Sequence, residues 1–346
     1  MSEWKEYKLG DIASFSYGKL PKHDLLGKGC YVTFSGYKYI ERYPEYNCEK
    51  GDVILVARGV GGTGDVKLTT QRCFLTNLSI KLDLDNRIVL NDYFYNMFRQ
   101  ENLRYLDSGS AQSQITIQDL ANVIIEVPPI DEQKRIAGVL SSLDNKIDLL
   151  NQENVTLEAL AETLFRHYFI ENPDPTWKEG KLGELIEVKY GKDHKKLGDG
   201  SIPVIGSGGI MRYADKALFD GESVLIPRKG SLDNVMYIDE PFWTVDTMFY
   251  TKMKIPHVAK FVYQFMKTLD LVNMNVGSAV PSMTAEVLNN IPLEIPSQTA
   301  LDDYERVVAP FYKKTKSNQQ QMQTLAIQRD TLLPRLMSGE VEVTGQ

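Results

Sequence analysis

Asp131 to Ile170 reads DEQKRIAGVLSSLDNKIDLLNQENVTLEALAETLFRHYFI, and it lies across the middle of the 346-residue chain. Its apolar positions advance by alternate steps of four and three: Ile136, Leu140, Leu143, Ile147, Leu150, then Asn154, Leu157, Ala161, Leu164 and Tyr168. A seam of this period sustained over several heptads predicts a coiled-coil helix, wider in reach than an ordinary amphipathic one. At 1.5 Å per residue it would be roughly 60 Å long, about twice the diameter of a small domain. Such a helix is a strut, and it needs a partner helix. Asn154 interrupts the seam; either it is buried and fixes the register of the pair, or it faces solvent at an imperfect position.

The partner comes from an internal repeat. WKEYKLGDIASFSYGK at Trp4–Lys19 recurs as WKEGKLGELIEVKYGK at Trp177–Lys192. GDVILVARG at Gly51 recurs as GESVLIPRK at Gly221, and GSAQSQIT at Gly109 as GSAVPSMT at Gly277. LEALAETL from Leu157 lies over LAIQRDTL from Leu325, so a second long helix is expected from about Thr299 to Leu336. Its seam carries Tyr304, Val308, Phe311, Thr315, Asn318, Met322, Leu325, Arg329 and Leu332. The polar middle of that list predicts looser packing there than in the first helix. Repeats of this length signal a duplicated structural unit, here one globular domain followed by one long helix.

Four segments follow: a first domain at 1–130, a helix at 131–172, a second domain at 173–297 and a helix at 298–346. Short β-like runs (Tyr31 to Phe34, Val53 to Ala57, Leu78 to Leu82) precede a helix expected over Asn91 to Leu106. The second domain repeats this with Ser223 to Pro227, Trp243 to Tyr250 and a helix from His257 to Leu271. Asn172-Pro-Asp-Pro-Thr176 is the linker, where two prolines stop the first helix. The fold class expected is α+β, with two similar mixed α/β domains and two long helices.

Composition excludes several classes. The charged and apolar fractions are those of a globular chain. No apolar run approaches the roughly 20 residues that a membrane span needs, and the first residues lack a signal-peptide core. Cys30, Cys48 and Cys73 have neither CxxC spacing nor an even count, which fits a reducing cytoplasm. Gly59-Val-Gly-Gly-Thr-Gly64 fits GxGxxG, but Asp65 to Thr70 is strand-like where a dinucleotide fold requires a helix. His23, His167, His194 and His257 do not cluster at ligand spacing, and Ser207 misses a nucleophile elbow because Ile205 holds the first glycine position. The chain reads as a binder and not as an enzyme. Its net charge of −7 argues mildly against holding nucleic acid by bulk charge alone, although acidic helices can mask basic tips.

Two diverged domains, each opening with W-K-x-x-K-L-G, together with Val127-Pro-Pro-Ile-Asp-Glu-Gln-Lys-Arg-Ile136 and the terminal Leu333-Pro-Arg-Leu-Met-Ser-Gly-Glu340, resemble the specificity subunit of a Type I restriction–modification system. The resemblance covers the whole chain. It departs at the second boundary, where Pro296-Ser-Gln-Thr-Ala replaces Pro-Pro-x-x-Glu-Gln. The resemblance implies two target-recognition domains joined by two long antiparallel coiled-coil helices, in a pseudo-twofold arrangement. It implies a bipartite double-stranded DNA site, with each domain reading one half and the helices setting the spacing. The implied partners are two methyltransferase subunits and the restriction (motor) subunits, and no membrane. S-adenosylmethionine, ATP and magnesium would sit on those partners, with no cofactor or metal bound by this chain and no catalysis of its own.

Within that frame the candidate DNA-binding residues are those matched across the repeat. Arg58 and Arg228 follow a strand, and either contact guanine or phosphate or form surface ion pairs. Gly59, Gly62 and Thr63, and Lys229 and Ser231, lie in the loops beside them. Lys19 and Lys192 share a Tyr-Gly-Lys turn, open to phosphate contact or to solvent. Ser35, Gly36, Tyr37 and Lys38, and Ser207, Gly208 and Gly209, precede the strand with the arginine. Gln112 stands where the second repeat has Val280, a difference open to specificity or drift. Tyr95 and Tyr263 are expected to be core. A different class remains open: a coiled-coil scaffold with two protein- or sugar-binding heads and no DNA role.

Overall fold

The computed structural model describes residues 4–35, 38–59, 62–107, 113–274 and 283–343. The chain divides into two units, Met1–Leu150 with Gln320–Gln346, and Asn151–Gln319.

In the first unit the strands are β1 (Lys5–Lys8), β2 (Ala13–Tyr17), β3 (Tyr31–Ser35), β4 (Lys38–Tyr43), β5 (Val53–Val56), β6 (Val66–Leu68), β7 (Cys73–Leu75), β8 (Ser79–Leu84) and β9 (Ile124–Val127). They form sheets ordered β2-β8-β5-β6 and β4-β3-β7, and a β1-β9 pair. Every residue of β5 is buried, as expected of an apolar run flanked by neighbours on both sides. The helices are α1 (Leu9–Ile12), α2 (Asn91–Met97), α3 (Ile117–Ala121) and the long α4, Ile130–Arg166. Leu9, Leu82, Tyr93, Phe94 and Leu120 close one core between the larger sheet and these helices.

The second unit repeats the plan strand for strand. Its strands are β10 (Lys178–Lys181), β11 (Ile186–Tyr190), β12 (Ile202–Gly206), β13 (Gly209–Ala214), β14 (Ser223–Pro227), β15 (Met236–Ile238), β16 (Trp243–Thr244), β17 (Met248–Met253) and β18 (Pro292–Ile295). The sheets are β11-β17-β14-β15, β13-β12-β16 and β10-β18, the same orders with each label advanced by nine. Helices α5 (Leu182–Leu185), α6 (Ala259–Thr268) and α7 (Ala285–Asn289) precede the long α8, Gln298–Met337.

Three sequence expectations are corrected. The helix expected over 91–106 stops at Met97, and Asn102 then caps a separate 3-10 turn at Leu103–Leu106, accepting from the Arg104 amide at 3.1 Å. The run 243–250 is two strands: β16 pairs in parallel with β12, and a turn closed by the Met248 amide on the Val245 carbonyl sends the chain into the other sheet as β17. The helix expected from His257 to Leu271 is confined to Ala259–Thr268: His257 takes a positive φ of 58° before it, and Leu269 is extended after it.

The long helices meet the heads through specific locks. The start of α4 is fixed by Gln133, fully buried: its side-chain oxygen accepts from the Leu90 amide at 3.0 Å, and its nitrogen donates to the Ile88 and Pro128 carbonyls at 2.8 Å. Further along, Asp144 accepts from Arg99 at 3.0 Å and from Arg329 of α8 at 2.8 Å, while Ile136, Ala137 and Leu140 pack with Leu333 and Leu336. In the second unit, Phe165 and Phe169 of the first helical run pack on Tyr304, whose hydroxyl donates to the Ala161 carbonyl at 3.2 Å. Lys260 of α6, almost fully buried, is held between Glu222 and Glu305 of α8 at 2.7 Å each.

Within each unit the two helical segments therefore run antiparallel, early α4 against late α8 in the first and the reverse in the second. The seam positions Leu140 and Leu150 are buried, and Leu143, Ile147, Leu157, Leu164, Phe311, Met322, Leu325 and Leu332 half-buried. Asn154 does not face solvent alone. Its side-chain oxygen accepts from the fully buried Asn318 amide at 2.9 Å, which also donates to Glu153 at 2.8 Å.

Burial opposes ionisation of Asp144, but the hydrogen bonds from Arg99 and Arg329 outweigh it and hold the carboxyl below its ordinary 3.8. The stabilisation is thus complete above that value and is lost as pH falls below it through the lowered folded value. Asp144→Asn leaves two guanidinium groups facing each other and is expected to cost about 2 kcal/mol at neutral pH. Urea unfolding at pH 7 and at pH 3 checks this: the gap between the two proteins should shrink at the lower pH.

Candidate nucleic-acid interface

Each head presents a Tyr-Gly-Lys turn at the end of an edge strand, β2 or β11. The glycine is required by close approach. A Cβ on Gly18 would lie 2.2 Å from the Thr76 carbonyl oxygen, and one on Gly191 would lie 2.0 Å from that of Val245. The turn is fixed by the Lys19 amide on the Leu75 carbonyl (3.0 Å) and by the Lys192 amide on the Thr244 carbonyl (2.9 Å). Both lysine side chains are exposed, as are Tyr17 and Tyr190 before them.

Over those rings lie the matched arginines. The Arg58 guanidinium is 5.8 Å from the Tyr17 ring centre; that of Arg228 is 4.8 Å from Tyr190 and 5.2 Å from Phe249. Their backbones are placed alike, the Arg58 amide on the Leu78 carbonyl at 3.0 Å and the Arg228 amide on the Thr247 carbonyl at 2.8 Å. Among the described residues no ion pair reaches either arginine. Arg228 donates once to the Asp246 carbonyl (2.8 Å), and the Nε of each arginine is buried without a hydrogen-bond partner. A guanidinium over an aromatic ring is attracted by the ring face and leaves its N–H fork available to an anion or a base edge.

The other candidates fall into three groups. Ser207 and the loop at 229–231 are brought together: the Asn234 side chain donates to the Ser207 carbonyl at 2.7 Å, and a Cβ on Gly230 would meet the Ser207 hydroxyl at 2.9 Å. Gly208, Lys229 and Ser231 are exposed on this surface. Ser35 and Lys38 close the β3–β4 hairpin, as Gly206 and Gly209 close β12–β13, so Ser35 matches Gly206 and not Ser207. Gly59 (φ 139°) and Gly62 (φ 82°) take backbone conformations that favour glycine. Thr63 is a correction: it is buried, and its hydroxyl donates inward to the Gly59 carbonyl at 3.1 Å, so it shapes the loop without meeting a ligand. Gly36, Tyr37 and Gln112 lie outside the described residues, as do the starts of the two Gly-Ser-Ala segments, 109–112 and 277–282.

Tyr95 and Tyr263 face the long helices. Tyr263 donates to Glu158 at 3.0 Å, and Tyr95 lies under Arg99, which reaches Asp144. Sequence reasoning missed Tyr17 and Tyr190 as partners of the arginines, although the shared Tyr-Gly-Lys turn was the available signal. Among the described residues no cluster of three or more His, Cys, Asp or Glu could hold a metal, and no helix is long and apolar enough to cross a membrane. After Gly64 the chain enters β6, a strand, which leaves the glycine-rich loop without the helix that a dinucleotide site needs.

Comparison with known proteins follows the duplication. A family profile described as the Type I restriction modification DNA specificity domain matches residues 1–159 and again 175–325. The specificity subunit of the type I restriction enzyme MjaIX from Methanocaldococcus jannaschii is 24% identical, the alignment covering 98% of this chain and 89% of the relative. The MjaVIII specificity subunit of the same organism is 21% identical over 99% and 93%. The crystal structure of a Type-I restriction-modification S subunit from M. genitalium superposes with a TM-score of 0.71 at 20% identity, covering 100% of this chain and 97% of that one. At that identity the likeness establishes the fold.

Gly18→Ala and Gly191→Ala should each destabilise their own unit by about 2 kcal/mol, because the added methyl meets backbone oxygen that cannot yield without moving a strand. Denaturant midpoints measure this, with Gly138→Ala as the contrasting control: it lies inside α4, its Cβ meets nothing within 4 Å, and the change should stabilise by about 0.5–1 kcal/mol.

Proposed function

The chain belongs to the family of Type I restriction modification DNA specificity domains, and from that premise we propose that its two heads read the two halves of a split duplex site. The observation that carries this is the arginine lying over the tyrosine of the Tyr-Gly-Lys turn in both repeats, with no ion pair to it among the described residues. Arginine in that state suits guanine O6 and N7 or a phosphate, while exposed Lys19, Lys192 and Lys229 beside it suit the backbone. Duplication within one chain replaces dimerisation, so unlike heads can read a non-palindromic sequence.

In this reading α4 and α8 form an antiparallel coiled coil with pseudo-twofold symmetry, and its length sets the number of unread base pairs. The antiparallel contacts within each unit and the buried Asn318 support it. Methylation and cleavage fall to partner subunits, two methyltransferase chains and a motor chain, which would carry S-adenosylmethionine, ATP and Mg²⁺. The relatives are named as specificity subunits of restriction enzymes, which supports assembly of that kind in the compartment that holds the DNA. A scaffold whose heads bind protein or sugar finds no support in them.

Arg58→Ala, assayed in the complex with its methyltransferase partner at fixed salt, should weaken binding about tenfold to a hundredfold and relax the first half-site alone. Unchanged affinity and unchanged site choice would remove Arg58 from the interface. Seven residues of helix span roughly 10 Å, about three base pairs. Excising one heptad between Leu143 and Leu157, with the seven facing residues of α8, should therefore shorten the permitted spacer or abolish methylation. An unaltered spacer in the methylated motif would sink the ruler.

A further inference from the structure

The smaller sheet of each head carries the same irregularity. β3 and β4 pair Val32 with Arg42 and then Thr33 with Ile40, so Glu41 is an extra residue. β12 and β13 pair Val204 with Arg212 and then Ile205 with Ile210, so Met211 is the extra one. The local sequences are Ile40-Glu-Arg-Tyr43 and Ile210-Met-Arg-Tyr213, identical except at the bulge. A bulge bends its strand and re-aims the side chain of the extra residue.

The repeated arginine anchors the bulge from behind. Arg42 donates to the Cys30 carbonyl at 2.8 Å, and Arg212 to the His194 and Leu197 carbonyls at 3.0 and 2.8 Å. Each thus ties the bulged strand to the loop that precedes its sheet. The bulge residue itself stays outside: Met211 is 59% exposed and Glu41 is exposed. Glu41 also holds a φ of 25°, which a residue with a side chain rarely adopts, and among the described residues no ion pair engages its carboxylate. Strained residues of this kind cluster at ligand-binding sites.

Met211 borders the candidate interface. Its thioether lies across Gly206, where a Cβ would come within 2.7 Å of the sulfur. The next residue, Ser207, packs on Gly230 beside Lys229 and close in sequence to Arg228. In the first head Ser35 stands at the register position of Gly206.

We propose that Glu41 and Met211 are the residues through which the two heads prefer different bases. The Glu41 carboxylate accepts from the N4 amino group of a cytosine in the major groove, and Met211 lies against the C5 methyl of a thymine. A carboxylate among phosphates is repelled unless an amino group meets it, so Glu41 rejects wrong bases as well as choosing the right one. This inference rests on the heads being DNA readers.

The test is made on the full complex with its methyltransferase partners, by sequencing methylated DNA after exposure to a randomised library. Glu41→Gln keeps the side-chain shape, and an amide pairs with adenine instead of cytosine. It should shift one position of the first half-site from cytosine toward adenine by about tenfold, leaving the second half-site unchanged. Met211→Ala should relax one position of the second half-site only, and deoxyuridine in place of thymine should weaken the wild type there but not this variant. Both substitutions are on exposed side chains, and circular dichroism compares the folded fraction. A wild type that methylates a split motif while both variants keep both half-sites intact overturns this inference and leaves the DNA reading standing. A wild type with no sequence-selective, salt-dependent binding overturns both.

Discussion

The buried amide of Asn318 sets the register on which the second unit's helical pair depends. A seam of leucine and isoleucine alone can slide by a heptad at small cost, since each apolar knob finds another hole. Asn318 cannot slide, because its nitrogen is fully buried and finds acceptors only where Asn154 and Glu153 face it. Moved by one turn, it would lose about 1–3 kcal/mol for an unsatisfied buried donor. In the first unit Asp144 plays the corresponding part, since only at that register does it meet both Arg99 of the head and Arg329 of α8. Polar groups that add little net stability thus remove alternative pairings.

The two units solve the same mechanical problem with unlike chemistry. Each ties its head to the long helices by an ion pair from one matched position, Arg99 to Asp144 in the first and Lys267 to Glu158 in the second. The first unit seats the start of its helix with the buried Gln133; the second places buried Leu301 at the matching position, and its α8 begins at Gln298 after Pro296-Ser297. The departure of the second boundary from the Pro-Pro-x-x-Glu-Gln pattern is therefore a replacement of one amide clamp by an apolar contact, and the helix starts where the duplication puts it. Sheet orders coincide although identity between the halves is confined to short stretches. What persists is the burial pattern, as in the fully buried β5 and β14.

Periodicity made the long helices legible, because a heptad pattern is local and repeats many times. The apolar runs at 53–56 and 223–227 were legible for a similar reason. The short helix α2 reads longer in sequence because its apolar face continues through Phe98, while the chain leaves the helix at that residue and Asn102 starts a separate turn. Trp243 to Tyr250 read as one strand because alternation does not record which sheet a strand joins. At the site, matched chain positions were enough to single out Arg58 and Arg228. Their aromatic partners lie tens of residues earlier, and only the folded sheet brings Tyr17 under Arg58. Thr63 shows the reverse failure: a polar residue in a glycine-rich loop is turned inward to hold that loop.

The bulges show how a duplicated scaffold can keep its fold while its two copies differ in an exposed side chain. A side chain in a sheet ordinarily contributes both to packing and to the surface, so changing it for recognition also disturbs stability. An extra residue loosens this coupling, because it has no backbone partner in the ladder and its strand is held by the arginine that follows it. The two bulges carry glutamate in one head and methionine in the other on the same sheet order. The same separation holds at the Tyr-Gly-Lys turn, where the glycine is committed to the backbone contact and the flanking tyrosine and lysine are left on the surface. Residues that fix the architecture and residues available to a ligand therefore alternate along the chain, which lets each half change its preference without loosening the strut.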